Sequence, residues 1–491
     1  MSAPAAVSNL TALTEGMAPF TSDIEIHDLT LDSREVKPGS CFVALAGQRH
    51  NAGDFIADAV SNGAVAVLTE AEAHPACRDV PVVTVSDLRS KLPLLARRFF
   101  GDPSSELTTF AITGTNGKTT VAYMIAEALE SRGRRCGYVG TLGHGEPGDL
   151  EPGATTTPDI LSLNRWLASF VADGVEACAI EASSHGLDQE RLAEVSCDVV
   201  MFTNLGRDHL DYHSDSNAYR QAKERIFAQP GIRAAVINID DPTGNEFADA
   251  YQSQFEVWTC STGEAADARV RAEAIQCSLQ GTRFSIACDA QTAVVESQVI
   301  GRINVENMLM TAVALMAAGW TLDQAAAALS CVQGPPGRLQ SCNLGAQLPQ
   351  VFVDYAHTPD SLRAVLDSLR QIADGRVILV FGCGGDRDTG KRALMGQVAS
   401  EHSDRFIVTS DNPRSENPTK IIDDVLSGAG GVAATVEPDR RRAIEIALSI
   451  ASVDDTVLIA GKGHERYQIE GDIQMPFDDV EVVRDIGRKL A

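Results

Sequence analysis

The sequence predicts an α/β protein of about three domains, with a P-loop parallel-sheet domain at its centre. Three observations carry that expectation. The chain has 491 residues, a length that suits about three domains of ordinary size. Residues 107–133 read as a strand, a Gly-rich loop and a helix in succession. On both sides of that stretch short apolar strand patterns alternate with helical ones, the arrangement that builds parallel sheets wound with helices.

Composition narrows the classes further. Hydrophobic residues make up 44% and charged residues 22%, as in a globular protein, and no apolar run approaches the ~18 residues of a membrane span. The formal net charge of −26 argues against nucleic acid or an anionic membrane as partner, so an anionic substrate needs local basic pockets. Eleven cysteines are scattered without a C-x-x-C pair, which fits reduced thiols in a cytoplasmic protein better than disulfides or a zinc site. The N-terminus carries no Lys or Arg before Arg34 and so lacks the basic region of a secretory signal.

Taken in order, residues 1–100 hold short strand patterns at Cys41 to Leu45, Ala64 to Leu68 and Pro81 to Val85, a compact α/β module. Asp32, Ser33 and Arg34, with the polar turn Gly47 to Asp54, are its one candidate small-ligand site, although the tripeptide alone reads first as a solvated loop. A boundary near Gly101 to Pro103 introduces the central segment, 101–337. There Leu107 to Ile112 is the strand, Gly114, Thr115, Asn116 and Gly117 the loop, and Lys118, Thr119 and Thr120 the start of a helix with Val121, Ile125, Ala128 and Leu129 on one face and Gly133 as its stop. Glycines let backbone N–H groups reach phosphate oxygens, and a helix N-terminus adds partial positive charge. Lys118 then suits the β- and γ-phosphates and the Thr119 hydroxyl suits Mg²⁺. Ile112 stands where the general motif has glycine, so the loop is a variant.

Two further strand patterns, Val175 to Glu181 and Asp198 to Asn204, end in Glu181 and run on to His209. Ligands of parallel sheets collect at the carboxyl ends of strands, which makes both residues candidate Mg²⁺ holders. Thr155, Thr156, Thr157 and the run from Ser183 to Arg191, including Gln189, offer hydroxyls, an amide and a guanidinium to a phosphorylated or carboxylated substrate. Tyr219 to Phe227 reads as an amphipathic helix, on which spacing alone leaves Lys223 in solvent. Residues 260–300 read as short β segments, Asn304 as the N-cap of a long helix to Ala318, and Gly334 to Arg338 as the second boundary. Residues 338–491 alternate again, with strands at Gln350 to Asp354, Arg376 to Phe381, Arg405 to Thr409 and Thr456 to Ala460. The loops after them hold Tyr355 to His357, Gly382 to Arg387, Asp411 to Arg414 and Gly461 to Glu465. The glycines at 382–385 miss G-x-G-x-x-G spacing, so this sheet is expected to position a co-substrate.

The motifs Thr113 to Thr119, Glu181 to His185, Thr203 to His209 and Asp354 to His357, in that order over essentially the full length, resemble those of the Mur ligase family of ATP-dependent amide-bond synthetases. Asp411, Asn412, Pro413 and Arg414 are similar to the signature of the branch that adds meso-2,6-diaminopimelate, as opposed to L-lysine, to UDP-N-acetylmuramoyl-L-alanyl-D-glutamate. The resemblance implies an N-terminal uridine-nucleotide domain, a central ATPase domain and a C-terminal Rossmann-like domain that receives the amino acid, in a cytoplasmic, monomeric enzyme of peptidoglycan precursor synthesis. It implies that Ser33 meets the uridine end and that Thr156, Thr157, Ser183, Gln189 and Arg191 hold the muramoyl dipeptide. Gly114 to Thr120, Asn304 and Arg338 would serve ATP, and Thr119, Glu181, His209 and Lys223 the Mg²⁺ ions, with Lys223 carbamylated. Lys118, Lys223 and His209 would be catalytic. Arg387, Asp411, Asn412, Pro413, Arg414, Gly461 and Glu465 would receive diaminopimelate. His50 to Gly53 departs from the family's Asp-Gly turn. Folylpolyglutamate synthetase, a related ligase, and a non-ligase P-loop nucleotide switch are the rivals; the separate N-terminal module, the Asp411 to Arg414 loop and the paired loops of a second sheet count against them.

Overall fold

The computed structural model describes residues 9–18, 24–45, 52–70, 80–209, 212–263 and 267–490. The turn from Gly47 and the His50 departure therefore lie largely outside the described residues. Among the described residues, no helix is long and apolar enough to cross a membrane.

Three main sheets follow one another along the chain. The first has four parallel strands, Asp28–Thr30, Ser40–Ala44, Ala66–Thr69 and Val82–Thr84, paired in sequence order. Its core (Leu29, Cys41, Val43, Leu68, Leu95) is completed by Ile160, Leu161 and Ala168 from the central segment's helix Ile160–Ala172. The ion pairs Arg165 to Asp28 at 2.9 Å and, more exposed, Arg97 to Glu194 at 3.8 Å cross the same junction. Burying an aliphatic side chain contributes about 1.5–3 kcal/mol and a half-exposed ion pair at most about 1 kcal/mol. The junction is therefore held chiefly by the apolar contact.

In the central sheet seven parallel strands lie side by side in the order Cys136–Gly140, Ala177–Glu181, Thr108–Thr113, Val199–Phe202, Ala234–Asn238, Glu256–Ser261 and Val270–Ser278. Antiparallel hairpins extend both edges. Period-two alternation sends successive residues to opposite faces. Phe110, Ile112, Val199 and Met201 pack with helices Lys118–Glu130 and Arg302–Ala317, while Ala111, Val200 and Phe202 pack with Leu163 and Leu167. Both faces are thus covered, as a parallel sheet requires. The third sheet runs Gln340–Cys342, Gln350–Asp354, Thr456–Ala460, Val377–Phe381, Arg405–Val408 and Thr435–Val436, all parallel but the first. Phe352, Leu379 and Leu458 face one core, and Val351, Val353, Ile378 and Val457 the other.

Two expectations need correction. Asn304 is not an N-cap: the helix begins at Arg302 after Gly301, and Asn304 sits within its first turn, buried, donating Nδ2 to Ile300 O at 2.9 Å. Gly301 (φ 90°) makes the turn into the helix that the asparagine was expected to cap. Lys223 is not in solvent, although its helix, Ser216–Glu224, is amphipathic and capped by Asp215. The buried stripe of Tyr219, Ala222 and Lys223 turns toward the Gly-rich loop, where Tyr219 OH meets Thr115 and Lys223 Nζ meets Gly114 O, and the lysine is 1% exposed.

Candidate active site

The site forms where the Gly-rich loop leaves the strand Thr108–Thr113, at the carboxyl edge of the central sheet. Gly114 (φ 144°) and Gly117 (φ 86°) hold backbone conformations that favour glycine. Space requires them too. A Cβ on Gly114 would be driven into the Thr203 hydroxyl, and one on Gly117 would lie 2.6 Å from Asn307 Oδ1. The segment after strand Val199–Phe202 braces the loop: Thr115 N donates to Asn204 O at 2.8 Å, Asn116 N to Asn204 Oδ1 at 2.9 Å, and Thr203 Oγ1 to Asn116 O at 2.6 Å. Thr115 Oγ1 accepts from Gly206 N at 2.8 Å and meets Tyr219 OH at 3.1 Å. The loop geometry is thereby fixed by contacts 85 or more residues away in sequence.

Two lysines converge on it. Lys118 Nζ donates to Gly114 O and Thr115 O, both at 2.9 Å, and Lys223 Nζ donates to Gly114 O at 2.6 Å. Burial lowers the pKa of both below the ordinary lysine value, and that of Lys223 well below it, helped by the charge of Lys118. Lys223 also lies 4.4 Å from the centre of the Tyr219 ring. Asp208 is half-buried, which raises its pKa, yet the net shift is downward because His209, His357 and Lys118 surround it.

Glu181, at the end of the adjacent strand, is fully buried and densely bonded. Its Oε2 accepts from Thr119 Oγ1 at 2.9 Å and Thr141 Oγ1 at 3.1 Å, and Oε1 from Thr141 N at 2.9 Å and from the Tyr138 hydroxyl. His209, in the left-handed region (φ 54°), turns its ring to within 4.8 Å of that of His185. Among the described residues no three His, Cys, Asp or Glu side chains gather as a ready-made metal cage. The oxygens of Thr119 and Glu181 are nonetheless the hard donors that Mg²⁺ takes beside phosphates, so the residues present fit that ion.

The C-terminal segment closes the far side of the same cavity, of about 380 Å³. Arg338 sets Nη2 3.4 Å from Thr119 Oγ1, and its guanidinium lies 4.4 Å from the Tyr355 ring centre. Asp354 accepts from Leu339 N and Ala356 N, both at 2.7 Å, pinning the turn that carries Tyr355 and His357. Burial pushes His357 down to about 4, so its imidazole is neutral at pH 7. Asn304 and Asn307 line the opposite wall, joined at 3.1 Å.

A larger cleft, of about 1790 Å³, runs from the first sheet to this cavity and is lined by Ser33, Arg165, Trp166 and Arg191 among others. Thr155 faces the cleft and Thr156 the cavity, so the loop between them separates the two. Thr157 is buried and donates its hydroxyl to Glu181 O at 2.6 Å, with Ser183 Oγ 2.9 Å from the same hydroxyl oxygen; Ser183 Oγ accepts from Gly186 N at 3.0 Å. Arg191 reaches Thr157 O at 2.6 Å and is joined to Gln189 Oε1 at 2.6 Å. These residues, expected at a substrate, brace the loop between cleft and cavity.

The remaining candidates cluster at the carboxyl end of the third sheet. Asn412 Nδ2 donates to Glu465 Oε2 at 2.8 Å, and Gln468 Nε2 to Asp411 O at 2.7 Å. Gly461 (φ 112°) packs against Asp411, whose Oδ2 lies 2.7 Å from where a Cβ would stand. Arg414 (φ 50°) donates Nη1 to Gly385 O at 2.8 Å. Arg387 is exposed on the loop before helix Gly390–His402, and Pro413 is buried. Tyr355, 5.1 Å from His464 between ring centres, links this cluster to the cavity.

Sequence reasoning passed over Tyr138, Thr141, Asn307 and Lys462. The first two follow from applying the carboxyl-end rule to the strand Cys136–Gly140 as well. Asn307 follows from the helical spacing of three after Asn304. A lysine between two glycines, Gly461 and Gly463, was the only local signal for Lys462.

Comparison with known proteins agrees with this arrangement. The Mur ligase middle domain matches residues 112–315, the Mur ligase glutamate ligase domain residues 337–463, and the catalytic domain of the Mur ligase family residues 25–100. The UDP-N-acetylmuramoyl-L-alanyl-D-glutamate–2,6-diaminopimelate ligase of Pseudomonas aeruginosa is 44% identical over 462 residues, 94% of each chain. That of Xylella fastidiosa is 45% identical over 471 residues, 95% of this chain and 94% of the relative. A solved structure of a ligase of the same name superposes with a TM-score of 0.70 at 35% identity, covering 98% of this chain and 99% of the other. The chain therefore belongs to the Mur ligase family.

Proposed function

We propose that this chain is the ATP-dependent ligase that joins meso-2,6-diaminopimelate to UDP-N-acetylmuramoyl-L-alanyl-D-glutamate, releasing ADP and phosphate, in the cytoplasmic assembly of peptidoglycan precursors. One observation carries the reading: Thr119, Glu181 and Lys223 surround a single cavity between a cleft of about 1790 Å³ and a loop cluster bearing Arg414 and Glu465. Near-full-length identity to ligases of that name supports it. In this reading residues 1–100 take the uridine end through Ser33, 101–337 take ATP, and 338–491 take the amino acid.

A carboxylate and a protonated amine do not condense in water, so the carboxylate must first be activated. The D-glutamyl γ-carboxylate attacks the γ-phosphorus of ATP; the bond to the β,γ-bridging oxygen breaks, ADP leaves, and an acyl phosphate remains. The N–H groups at the helix N-terminus, Gly117 to Thr120, cradle the phosphates, and the Lys118 ammonium neutralises charge as the phosphoryl group passes. Arg338 approaches the same phosphates from the C-terminal segment. The free amine then attacks the acyl carbon, the tetrahedral intermediate expels phosphate, and one proton leaves the nitrogen. His357, neutral and half-buried beside the cavity, helps exclude water from the reacting atoms, and the proton passes on to solvent. Most of the acceleration comes from holding carboxylate, phosphate and amine in line.

Thr119, Glu181, His209 and a carbamylated Lys223 would hold Mg²⁺, which supplies charge neutralisation on the transferring phosphate. The lowered pKa of Lys223 favours that modification, because a neutral amine nitrogen adds to the carbon of CO₂ and releases one proton as the carbamate forms. A cation thereby becomes an oxygen ligand. The test is ADP release with the UDP-linked dipeptide and a panel of amino acids. Turnover with meso-diaminopimelate and little with L-lysine is expected; ADP release indifferent to the amino acid would defeat the reading.

A further inference from the structure

Lys462 stands between Gly461 and Gly463, both at positive φ (112° and 53°), in the loop after strand Thr456–Ala460. Its side chain is wholly buried. Nζ lies 3.2 Å from Glu465 Oε2 and 3.3 Å from Asn412 Oδ1, and Asn412 Nδ2 closes the triangle by donating to the same Glu465 oxygen at 2.8 Å. Asn412 Oδ1 also accepts from Ile469 N at 3.0 Å. The amide is thereby oriented: its oxygen serves Lys462 and Ile469, and its nitrogen points at Glu465. Ile469 O in turn accepts from Arg414 N at 3.1 Å. Three segments, the loops at 411–414 and 461–465 and the hairpin Tyr467–Pro476, thus meet around one buried ammonium.

Stability alone does not call for a cation there. Burying a charge is costly, and an apolar side chain of the same volume fills such a slot without that cost. What the ammonium does is fix its two partners, which an apolar side chain cannot do. It also offsets the negative charge gathered by Asp411 and Glu465 where a zwitterionic amino acid, itself bearing carboxylates, has to enter.

We propose that Lys462 is a positioning residue of the amino-acid site. It holds Glu465 by Oε2 and Asn412 by Oδ1, so that Glu465 Oε1 and the second N–H of Asn412 meet the ammonium and carboxylate of the incoming amino acid in a set geometry. Lys462 itself, buried behind both, touches no substrate. This rests on the reading that the loops at 411–414 and 461–465 receive the acceptor amino acid.

The experiment is steady-state kinetics, varying the amino acid, ATP and the UDP-linked dipeptide separately, for wild type, Lys462→Met, Lys462→Gln, Glu465→Gln and the double variant Lys462→Met with Glu465→Gln. Lys462→Met should raise KM for the amino acid about 100-fold, the scale seen when an outer partner of a binding group is removed. Lys462→Gln, which keeps a donor for Asn412 without the charge, should raise it about tenfold. KM for ATP and for the dipeptide should stay within about threefold of wild type in both. In the Glu465→Gln background the methionine substitution should cost far less than it does alone, because one of its partners is already altered. An amino-acid KM within about threefold of wild type in Lys462→Met, a parallel rise of all three KM values, or full additivity in the double variant overturns the proposal. Should Lys462→Met fail to fold, Lys462→Gln decides: an unchanged amino-acid KM overturns it. If the wild type uses an amino acid other than diaminopimelate, the acceptor's identity falls, and the same ratios measured with that amino acid still judge Lys462.

Discussion

Lys118 and Lys223, 105 residues apart in sequence, share one acceptor, the carbonyl oxygen of Gly114, at 2.9 and 2.6 Å. Two buried ammonium groups on one oxygen repel each other, and the relief available to Lys223 is to lose its proton. The contact therefore supports the proposed division of labour, with Lys118 as the phosphate cation and Lys223 as the modifiable amine.

The first prediction follows for Lys223. Lys223→Ala should lose activity by about a thousandfold or more, since the oxygen ligand that a carbamate provides is gone. Added formate or acetate should recover part of it by entering the space left behind. Mass spectrometry under native conditions should show a mass increment on the wild-type lysine that acid removes. An alanine variant with near-normal kcat would return Lys223 to a purely structural role.

For Lys118 the expected loss lies in the transition state. Lys118→Ala should lower kcat about 10²- to 10³-fold, the usual consequence of deleting one preorganised charge donor. Its thermal unfolding should be little changed, because the bonds Lys118 makes to Gly114 and Thr115 can be taken over by water. A variant with unchanged kcat and raised KM for ATP alone would mean that the lysine only binds the nucleotide.

Glu306 offers a pH-dependent test of the wall behind the loop. Its carboxyl accepts from Asn238 Nδ2 at 2.9 Å, and burial, then the neighbouring charge of Asp240, raises its pKa from an ordinary 4.5 to about 7. The folded protein binds this proton more tightly than the unfolded chain. The group is therefore neutral to stability below pH 4.5 and costs stability progressively as pH rises to about 7, on the order of 3 kcal/mol at most. Glu306→Gln should match wild type in thermal stability near pH 4.5 and exceed it at pH 8. An equal difference at both pH values would show that ionisation of Glu306 is not the cause.

How much of this could be read from the chain depends on how local each feature is. The cradle was legible because strand, glycines and helix start are contiguous from Thr108 to Thr120, and Glu181 because a carboxylate ends an apolar run. Strands Gln350–Asp354 and Thr456–Ala460 were legible to the residue, since a strand buried on both faces is a short unbroken apolar run. Lys223 was not, because its helix has an ordinary amphipathic pattern and only the tertiary placement of its Tyr219 face beside the Gly-rich loop turns the lysine inward. The same holds for Tyr138 and Thr141: their tie to Glu181 depends on which strands become neighbours, and pairing order is set by the whole sheet. Asn304 was misplaced by a residue-type preference that the glycine before the helix overrode.

The last prediction concerns the choice of amino acid. Arg414 keeps a left-handed backbone (φ 50°), which costs a non-glycine residue on the order of 1 kcal/mol or more, and it is tied on both sides: its N–H donates to Ile469 O at 3.1 Å and its carbonyl accepts from Gly471 N at 2.7 Å. Nη1 donates to Gly385 O at 2.8 Å, which fixes the plane of the guanidinium. A planar fork so held suits a carboxylate through two parallel charge-assisted hydrogen bonds. Diaminopimelate presents a carboxylate at its far end where lysine has only hydrogen, so lysine leaves the remaining N–H groups of the guanidinium without an anionic partner. Sites that strand a buried polar group reject the wrong substrate by about 10⁴-fold. The wild type should show that ratio in kcat/KM for meso-diaminopimelate over L-lysine, and Arg414→Ala should lose most activity with the former while its discrimination collapses to about tenfold. Comparable wild-type use of L-lysine, or an alanine variant that discriminates as sharply as before, would place the reading of that carboxylate on another residue.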